Sequence, residues 1–214
     1  MDFNVAREKM VASQIRTSEV TDPLVVDAMS DVPREKFVPA DKQGFAYLDE
    51  DLAIGNGRFV MEPMIVARLI QLAELQPTDS VLVIGAGTGY LAAVAARMAA
   101  SVIALEGDSD LAEGAAKTYA ELGIENVKVV VGNLKSGWTG PFDAIIIDGA
   151  VEEVPDEFRT QLKDGGRLVC VVREGPVGRA TLITRAGDSY GSRQEFDAMT
   201  PCLPGFEKQP QFTF

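Results

Sequence analysis

The glycine-rich stretch at residues 81–90, VLVIGAGTGY, constrains the fold more than any other part of the sequence. Four aliphatic residues at 81–84 predict a buried strand, and the alanine-rich residues 91–100 predict a helix. Gly85, Gly87 and Gly89 lie between them. Glycine permits a positive φ and lets a ligand approach the backbone closely, and the start of a helix offers free N–H groups. This strand–turn–helix therefore predicts a binding site for an adenosine-containing cofactor.

Strands and helices alternate through the following hundred residues. Strands of nearly continuous apolar residues, separated by helices, are typical of a parallel sheet that is covered on both faces. Two more strands within residues 180–196, around Gly187 and Asp188, predict a hairpin at the sheet edge. The predicted strands are 81–84, 102–105, 127–131, 142–147 and 167–172, and the predicted helices are 91–100, 108–122 and 155–162. We therefore predict an α/β fold with a Rossmann-like, doubly wound and mostly parallel sheet.

The first third of the chain predicts a helical cap in front of this sheet. An amphipathic helix is expected within residues 3–15, and a second helix begins at Thr21-Asp22-Pro23. Residues 52–60 predict an extended or hairpin segment, and Pro63 opens a core-facing helix. We expect one domain over residues 1–214, with a cap and substrate-side segment at 1–62, a cofactor-binding core at 63–200 and a tail at 201–214. The tail is expected to pack over the substrate side or, as the alternative, to mediate association.

Composition excludes several kinds of chemistry. The chain has no histidine, which excludes histidine triads, histidine-ligated metals and a histidine base. Cys170 and Cys202 lack metal-site spacing, and Cys170 lies in an apolar strand pattern typical of a small buried hydrophobic residue. A net charge of −12 disfavours nucleic acid as a partner. The absence of a membrane-spanning run or a targeting signal favours the cytoplasm.

Polar residues follow the predicted strands where a cofactor would bind. Ligands of such sheets lie at the carboxyl ends of the strands, where Glu106, Asn133 and Asp148 fall. A carboxylate such as Glu106 suits the two hydroxyls of a ribose, although it could also cap the next helix. Each of the other two residues could also have a purely structural role: Asn133 as a turn residue, and Asp148 as a cap at the end of its strand.

The glycine spacing distinguishes between adenosine cofactors. It lacks the third glycine of the dinucleotide pattern G-x-G-x-x-G, and no basic residue lies nearby to hold a pyrophosphate. S-adenosylmethionine carries no phosphate and fits better. The predicted cofactor-binding residues are Gly85, Ala86, Gly87, Gly89, Tyr90, Glu106, Asn133 and Leu134.

Several sequence blocks carry a resemblance to a known family. The blocks are MVASQIR at 10–16, VPREKFVP at 32–39, AYLD at 46–49, IGNG at 54–57, the glycine turn with Tyr90, LG and NV at 122–127, and QLKDGGRL at 161–168. With them the chain resembles the protein L-isoaspartate O-methyltransferases along nearly its whole length up to Val172. The resemblance implies a fold of the S-adenosylmethionine methyltransferase type.

The resemblance also implies an activity. These enzymes move the methyl group of S-adenosylmethionine to an isoaspartyl carboxylate in damaged proteins. A carboxylate with a pKa of about 4 is already ionised at neutral pH, so neither a general base nor a metal is needed. The expected partner is a protein or peptide carboxylate, and the expected state is a monomer or a weak homodimer.

The sequence departs from the family on the substrate side. Phe59 and Met61 stand where the family has a threonine and a serine that help to hold the substrate carboxylate, and Arg58 stands where it has glutamine. Asp148 stands where the family has a threonine-alanine pattern. The resemblance places Met61 and Asp148 at the catalytic, substrate-site positions. Glu62 would repel an anionic substrate, and Arg58 could offset that charge.

Two positions differ on the cofactor side. Val83 replaces an acidic residue of the first strand, and Asn133 replaces an aspartate on the adenine side. Three hypotheses therefore stay open: a carboxyl methyltransferase; a methyltransferase with a more apolar or cationic acceptor, in which Asp148 acts as a base or amine anchor; and a non-catalytic protein that senses or binds the cofactor.

Overall fold

The computed structural model describes residues 2–208. Helices and strands alternate from Pro63 onward, after an N-terminal part that is mostly helical. The helices are α1 (Phe3–Met10), which continues as a π-helical turn over Val11–Ile15, α2 (Pro23–Asp31), α3 (Pro63–Ala73), α4 (Tyr90–Ala96), α5 (Ser109–Leu122) and α6 (Asp156–Thr160). Short 3₁₀ segments span Arg34–Phe37, Ala40–Phe45 and Leu134–Ser136. The strands are β1 (Leu52–Gly55), β2 (Arg58–Val60), β3 (Ser80–Ile84), β4 (Ser101–Glu106), β5 (Val127–Val131), β6 (Phe142–Val151), β7 (Leu162–Glu174), β8 (Val177–Ala186) and β9 (Ser189–Asp197).

Seven strands form one sheet in the order β5-β4-β3-β6-β7-β8-β9. The pairs from β5 to β7 are parallel, and β7, β8 and β9 pair antiparallel. The chain winds outward from β3 to β5, then returns to place β6 on the other side of β3. Because the direction of winding reverses between β3 and β6, a crevice opens at the carboxyl ends of these strands. The predicted doubly wound sheet and its terminal hairpin are confirmed.

The sheet separates two hydrophobic clusters. Successive strand residues point to opposite faces. In β3, Val81 and Val83 join the cluster that α1 to α4 cover, whereas Leu82 and Ile84 join the cluster that contains Phe158 of α6. All four residues are fully buried. The near-continuous apolar strands therefore reflect burial on both faces, as the sequence predicted.

Local sequence sets the helix ends. The Asp22 side chain accepts a hydrogen bond from the Leu24 N–H, with Pro23 in the first turn of α2. The Asp108 side chain accepts from the N–H groups of Asp110 and Leu111 at the start of α5, and Gly123 ends that helix with a φ of 65°. The two aspartates satisfy N–H groups that the start of a helix leaves free.

Some predicted boundaries were wrong. The fourth strand of the parallel set does not end at residue 147, because β6 runs on to Val151 across a bulge between Ile146 and Ala150. Asp148 therefore lies within a strand and not after it. The predicted helix at 91–100 ends earlier, since α4 stops at Ala96. Strand β7 is longer than the predicted 167–172 because its outer part pairs with β8 up to Glu174.

Strand β9 forms one edge of the sheet. Its side chains are exposed from Ser189 to Glu195, and Phe196 is half-buried. Arg193 and Glu195 form an ion pair on this strand. The hairpin turn between β8 and β9 falls at Gly187 and Asp188, as predicted.

Candidate functional site

The glycine turn follows β3 at the crevice. The N–H groups of Gly85 and Ala86 both donate to the Leu105 carbonyl, at 2.9 and 3.1 Å. Gly89 has a φ of 100°, and a Cβ there would overlap the Tyr119 hydroxyl. That hydroxyl donates to the Gly89 carbonyl at 2.9 Å. Since a side chain would fit neither the conformation nor the space, the turn requires glycine at position 89.

Glu106 ends β4 beside this turn and is fully buried. Its Oε2 accepts from the Gly87 N–H at 2.6 Å, and its Oε1 accepts from the N–H groups of Gly107 and Asp108 at 2.7 and 3.0 Å. Three backbone donors therefore fix the position of this carboxylate beside the glycine turn. The alternative that Glu106 is a solvated helix cap does not hold, because Asp108 caps α5 and Glu106 is buried.

A cavity of about 450 Å³ opens next to Glu106. Asn133 and Leu134, which follow β5, line it together with Lys135. The Asn133 Oδ1 accepts from the Lys135 N–H at 2.9 Å, so its side chain caps the short 3₁₀ turn. Asn133 therefore has both predicted roles: its side chain stabilises a turn, and it lines a cavity of the size that a nucleoside needs.

Arg58 is a residue of this site that the sequence did not predict. Its Nη1 is 2.5 Å from Glu106 Oε1, and its Nη2 donates to the Gly85 carbonyl at 2.5 Å. The sequence suggested that Arg58 could offset the charge of Glu62. In the structure Arg58 instead pairs with Glu106 and lies across the glycine turn. The one available signal was its position directly after the IGNG block, where the resemblance places glutamine.

The predicted substrate-side residues also come together. Met61 and Asp148 line a small cavity with Phe59, on the far side of Arg58 from the large cavity. Asp148 is buried, and this burial raises its pKa to about 8 against an ordinary value of 3.8; Arg58 lowers the pKa and Glu106 raises it further. Asp148 is therefore mostly neutral at pH 7.

Two other carboxyl groups lie in the same neighbourhood. Burial raises the pKa of Glu62 to about 7, with Asp49 and Asp51 raising it further and Arg34 lowering it. Asp51 accepts from the Glu62 N–H at 2.9 Å. Burial raises the pKa of Asp51 as well.

Tyr90, one of the predicted cofactor residues, lies in the core. Its ring packs edge-on against Phe37 at 5.7 Å between centroids. The Arg34 guanidinium lies 4.8 Å from the Tyr90 ring centroid, and Arg34 Nε donates to the Ala46 carbonyl. Tyr90 is 1% exposed and lies outside the lining of the large cavity. In this arrangement it supports the turn from beneath through the VPREKFVP block.

The tail packs over the site, as predicted, in the part that is described. The Ala150 N–H donates to the Pro201 carbonyl at 3.0 Å, and the Leu203 N–H donates to the Ala150 carbonyl at 2.8 Å. Leu203 is 4% exposed. The prediction for residues 209–214 lies outside the described part of the chain.

The remaining predictions concern cysteines, metals and membranes. Cys170 is buried and both cysteines are free, which confirms Cys170 as a small core residue. Residues 2–208 contain no cluster of three or more histidine, cysteine or acidic side chains that could hold a metal ion. Within the same range no helix has the length and apolarity to cross a bilayer.

Comparison with known proteins agrees with this architecture. The family model described as protein-L-isoaspartate(D-aspartate) O-methyltransferase matches residues 5–199. A protein-L-isoaspartate O-methyltransferase of Methylorubrum extorquens (strain PA1) is 44% identical over 193 residues, covering 88% of this chain and 83% of that protein. One of Methylorubrum populi is 40% identical over 208 residues, covering 94% and 97%.

Solved structures agree as well. A protein-L-isoaspartate O-methyltransferase has a TM-score of 0.82 and 27% identity, covering 93% of this chain and 66% of that one. A Plasmodium falciparum structure, described as a putative enzyme of this kind in complex with S-adenosyl-L-homocysteine, has a TM-score of 0.77 and 22% identity, covering 95% and 98%. The latter shows the shared fold.

The doubly wound sheet, the glycine turn and the acidic residue at the end of β4 define an S-adenosylmethionine-dependent methyltransferase. The cofactor is S-adenosylmethionine, as the sequence predicted. More specifically, the chain belongs to the protein-L-isoaspartate(D-aspartate) O-methyltransferase family, whose members methylate protein substrates that contain isoaspartate.

The described arrangement fits the adenosine part of this cofactor better than its methionine part. The large cavity lies against Glu106 and Asn133, at the ends of two adjacent parallel strands. Beyond Arg58, the cavity at Met61 and Asp148 holds only about 10 Å³, room for no more than about one water molecule.

Proposed function

We propose that the protein methylates a carboxylate of a protein substrate, with an isoaspartyl side chain as the acceptor. The main support is one observation: Glu106, which accepts a hydrogen bond from Gly87 of the glycine turn, lines one cavity with Asn133, in a chain that matches this family over residues 5–199. Bound S-adenosylmethionine supplies a methyl group that is activated for transfer, so an ionised carboxylate needs no base. The task of the protein is then to align acceptor and donor.

Asp148 supplies the hydrogen-bond donor that Phe59 and Met61 cannot. Both of these side chains line the same small cavity as Asp148 and lack an O–H group. With a pKa of about 8, Asp148 carries its proton at pH 7 and donates it in a hydrogen bond to the acceptor carboxylate. A hydrogen bond to a charged group stabilises by about 1.5–3 kcal/mol, enough to replace a lost hydroxyl.

The test compares methyl transfer to an isoaspartyl peptide with transfer to the same peptide containing ordinary aspartate. We expect turnover of the isoaspartyl peptide alone. Asp148→Asn keeps an N–H donor and should keep most activity, whereas Asp148→Leu removes the donor and should raise KM about 10–100-fold. Equal KM values for the two variants would contradict this role, and no turnover by folded wild-type protein at high concentration would contradict the acceptor itself.

A cationic amine is the second candidate acceptor. The observation that favours it is the group of three carboxyl groups, Asp51, Glu62 and Asp148, whose pKa values are all raised by burial. Once ionised, they would attract a protonated amine, and the Asp148 carboxylate would take its proton so that the nitrogen lone pair can accept the methyl group. The two acceptors predict opposite pH profiles: carboxylate methylation falls as Asp148 ionises near pH 8, whereas amine methylation rises over the same interval.

A monomeric or weakly dimeric state and a cytoplasmic location stay predictions. Sedimentation at several protein concentrations tests the first. Localisation of a tagged full-length protein tests the second.

A further inference from the structure

The Glu106 carboxylate accepts four hydrogen bonds, three at Oε1 and one at Oε2. Three are the backbone N–H groups of Gly87, Gly107 and Asp108, and the fourth is Arg58. A carboxylate offers about four acceptor positions. A ribose diol that donates one hydroxyl to each carboxylate oxygen must therefore replace one of the three donors at Oε1. The backbone donors are fixed by the turn and by the start of α5, so Arg58 is the donor that can leave.

The Arg58 guanidinium makes hydrogen bonds both to Glu106 and to the backbone of the glycine turn. Its second guanidinium nitrogen donates to the Gly85 carbonyl, and a Cβ at Gly85 would lie 3.1 Å from that nitrogen. The side chains of Arg58 and Glu106 are only 6% and 1% exposed. The guanidinium therefore covers the backbone at the very point where glycine would let a ligand approach.

Leu203 occupies the space next to Arg58. A Cβ built on Gly85 would lie 2.9 Å from one Leu203 methyl carbon, and a Cβ on Gly149 would lie 2.8 Å from the side chain. Leu203 thus fills the gap between the end of β3 and the bulge of β6. Three backbone hydrogen bonds hold its segment: the two at Ala150, and one from the Glu152 N–H to the Phe206 carbonyl at 3.1 Å.

The order of the strands shows what this filling prevents. The large cavity lies at the ends of β5 and β4, Gly85 follows β3, and Asp148 lies in β6. A cofactor with its adenosine at Glu106 must cross the end of β3 to bring its methyl group to Asp148. Neighbouring strands are about 4.8 Å apart, so this path of about 10 Å passes directly through Arg58 and Leu203.

We propose that Arg58 and Leu203 form an internal latch on the cofactor site. The latch consists of the Arg58 guanidinium on Glu106 and Gly85, together with residues 201–206. The methionine part of S-adenosylmethionine binds only when Arg58 leaves Glu106 and Leu203 leaves the glycine turn. Arg58 and Leu203 therefore set the cofactor affinity of this chain. This inference rests on S-adenosylmethionine being the ligand of the site.

The test measures binding of S-adenosylhomocysteine to the full-length protein by calorimetry. The variants are Arg58→Gln, which restores the residue that the resemblance places there, Leu203→Ala, and both together. If the latch is closed in more than about nine of ten molecules, opening it tightens binding at least about tenfold. Arg97→Gln and Leu24→Ala are matched controls, because both side chains are largely exposed and outside the site. They should leave the affinity unchanged.

Hydrogen exchange of the wild-type protein gives an independent measurement. Adding S-adenosylhomocysteine should speed exchange at the Leu203 amide, which loses its carbonyl partner when the segment moves. Unchanged affinity in Arg58→Gln and Leu203→Ala, with a tail that stays protected in the complex, would overturn the latch. Absence of binding in every folded variant would overturn the cofactor assignment as well, so the two failures are distinguishable.

Discussion

The raised pKa of Asp148 makes the stability of the protein depend on pH in a way that one substitution should remove. Asp148 lies in the bulge of β6, 7% exposed, and its burial raises its pKa to about 8. In the unfolded chain the same carboxyl group titrates near 3.8. Between these values the folded protein keeps a proton that the unfolded protein releases. The Asp148→Asn variant has no such proton.

The sign and size follow from this difference. The contribution of Asp148 to stability is fully present below about pH 4 and is lost as the pH rises through about 8. Within that interval the free energy of unfolding decreases by up to about 1.4 kcal/mol per pH unit. Because the slope flattens near the folded pKa, we expect wild type to lose about 2 kcal/mol between pH 6 and pH 8 relative to Asp148→Asn.

Urea unfolding at pH 6, 7 and 8 measures this effect. The quantity to compare is the difference in unfolding free energy between Asp148→Asn and wild type at each pH, which removes contributions that both proteins share. Asp27→Asn, on the exposed face of α2, controls for the loss of one carboxyl group. A difference between Asp148→Asn and wild type that stays constant from pH 6 to 8 would refute the reasoning, because the group would then have the same pKa in both states.

Two further substitutions test the frame of the site. Gly89→Ala should destabilise the protein by about 2–4 kcal/mol in urea unfolding, because it strains a backbone with a φ of 100° and its Cβ overlaps Tyr119. The control Gly114→Ala lies in open space on α5 and should stabilise by up to about 1 kcal/mol. A similar loss of stability in both variants would argue against a local cause. Arg167→Met should lower the free energy of unfolding by about 3 kcal/mol, because it leaves the buried Asp79 without its ion-pair partner at 2.5 Å. Arg97→Met breaks only an exposed ion pair and should stay within about 1 kcal/mol of wild type.

The parts that the sequence predicted well are those with a local cause. The residues of β3 are apolar on both faces because both faces of the strand are buried, and the pattern carries that information directly. The glycine turn and Glu106 follow from the positions at which strands end. Since parallel strands share one edge, their ends meet without knowledge of any long-range contact.

Arg58 and Leu203 could not be predicted in the same way. Arg58 and Glu106 are 48 residues apart, and their pairing depends on how the β1–β2 hairpin lies over the sheet. Leu203 reaches Gly85 because the tail adds a short parallel bridge at Ala150. Neither arrangement leaves a periodic pattern in the sequence.

Asp148 illustrates a third case. Its residue type and its place beside Gly149 were evident, but its protonation state depends on the number of neighbours that exclude water. The bulge in β6 carries Asp148 into the sheet and away from solvent. The sequence therefore identified the group, but neither its burial within β6 nor its protonation state.

The exposed edge at β9 has a consequence for how the protein meets its substrates. An enzyme that acts on other proteins encounters chains with unpaired strands, and the open edge of a sheet is a template for adding one more strand. The Arg193–Glu195 pair places charge along this edge, and the opposite edge strand, β5, has only five residues and an exposed Lys128. Both features oppose strand addition. A partly unfolded protein that collides with either edge of the sheet therefore meets a strand that resists extension.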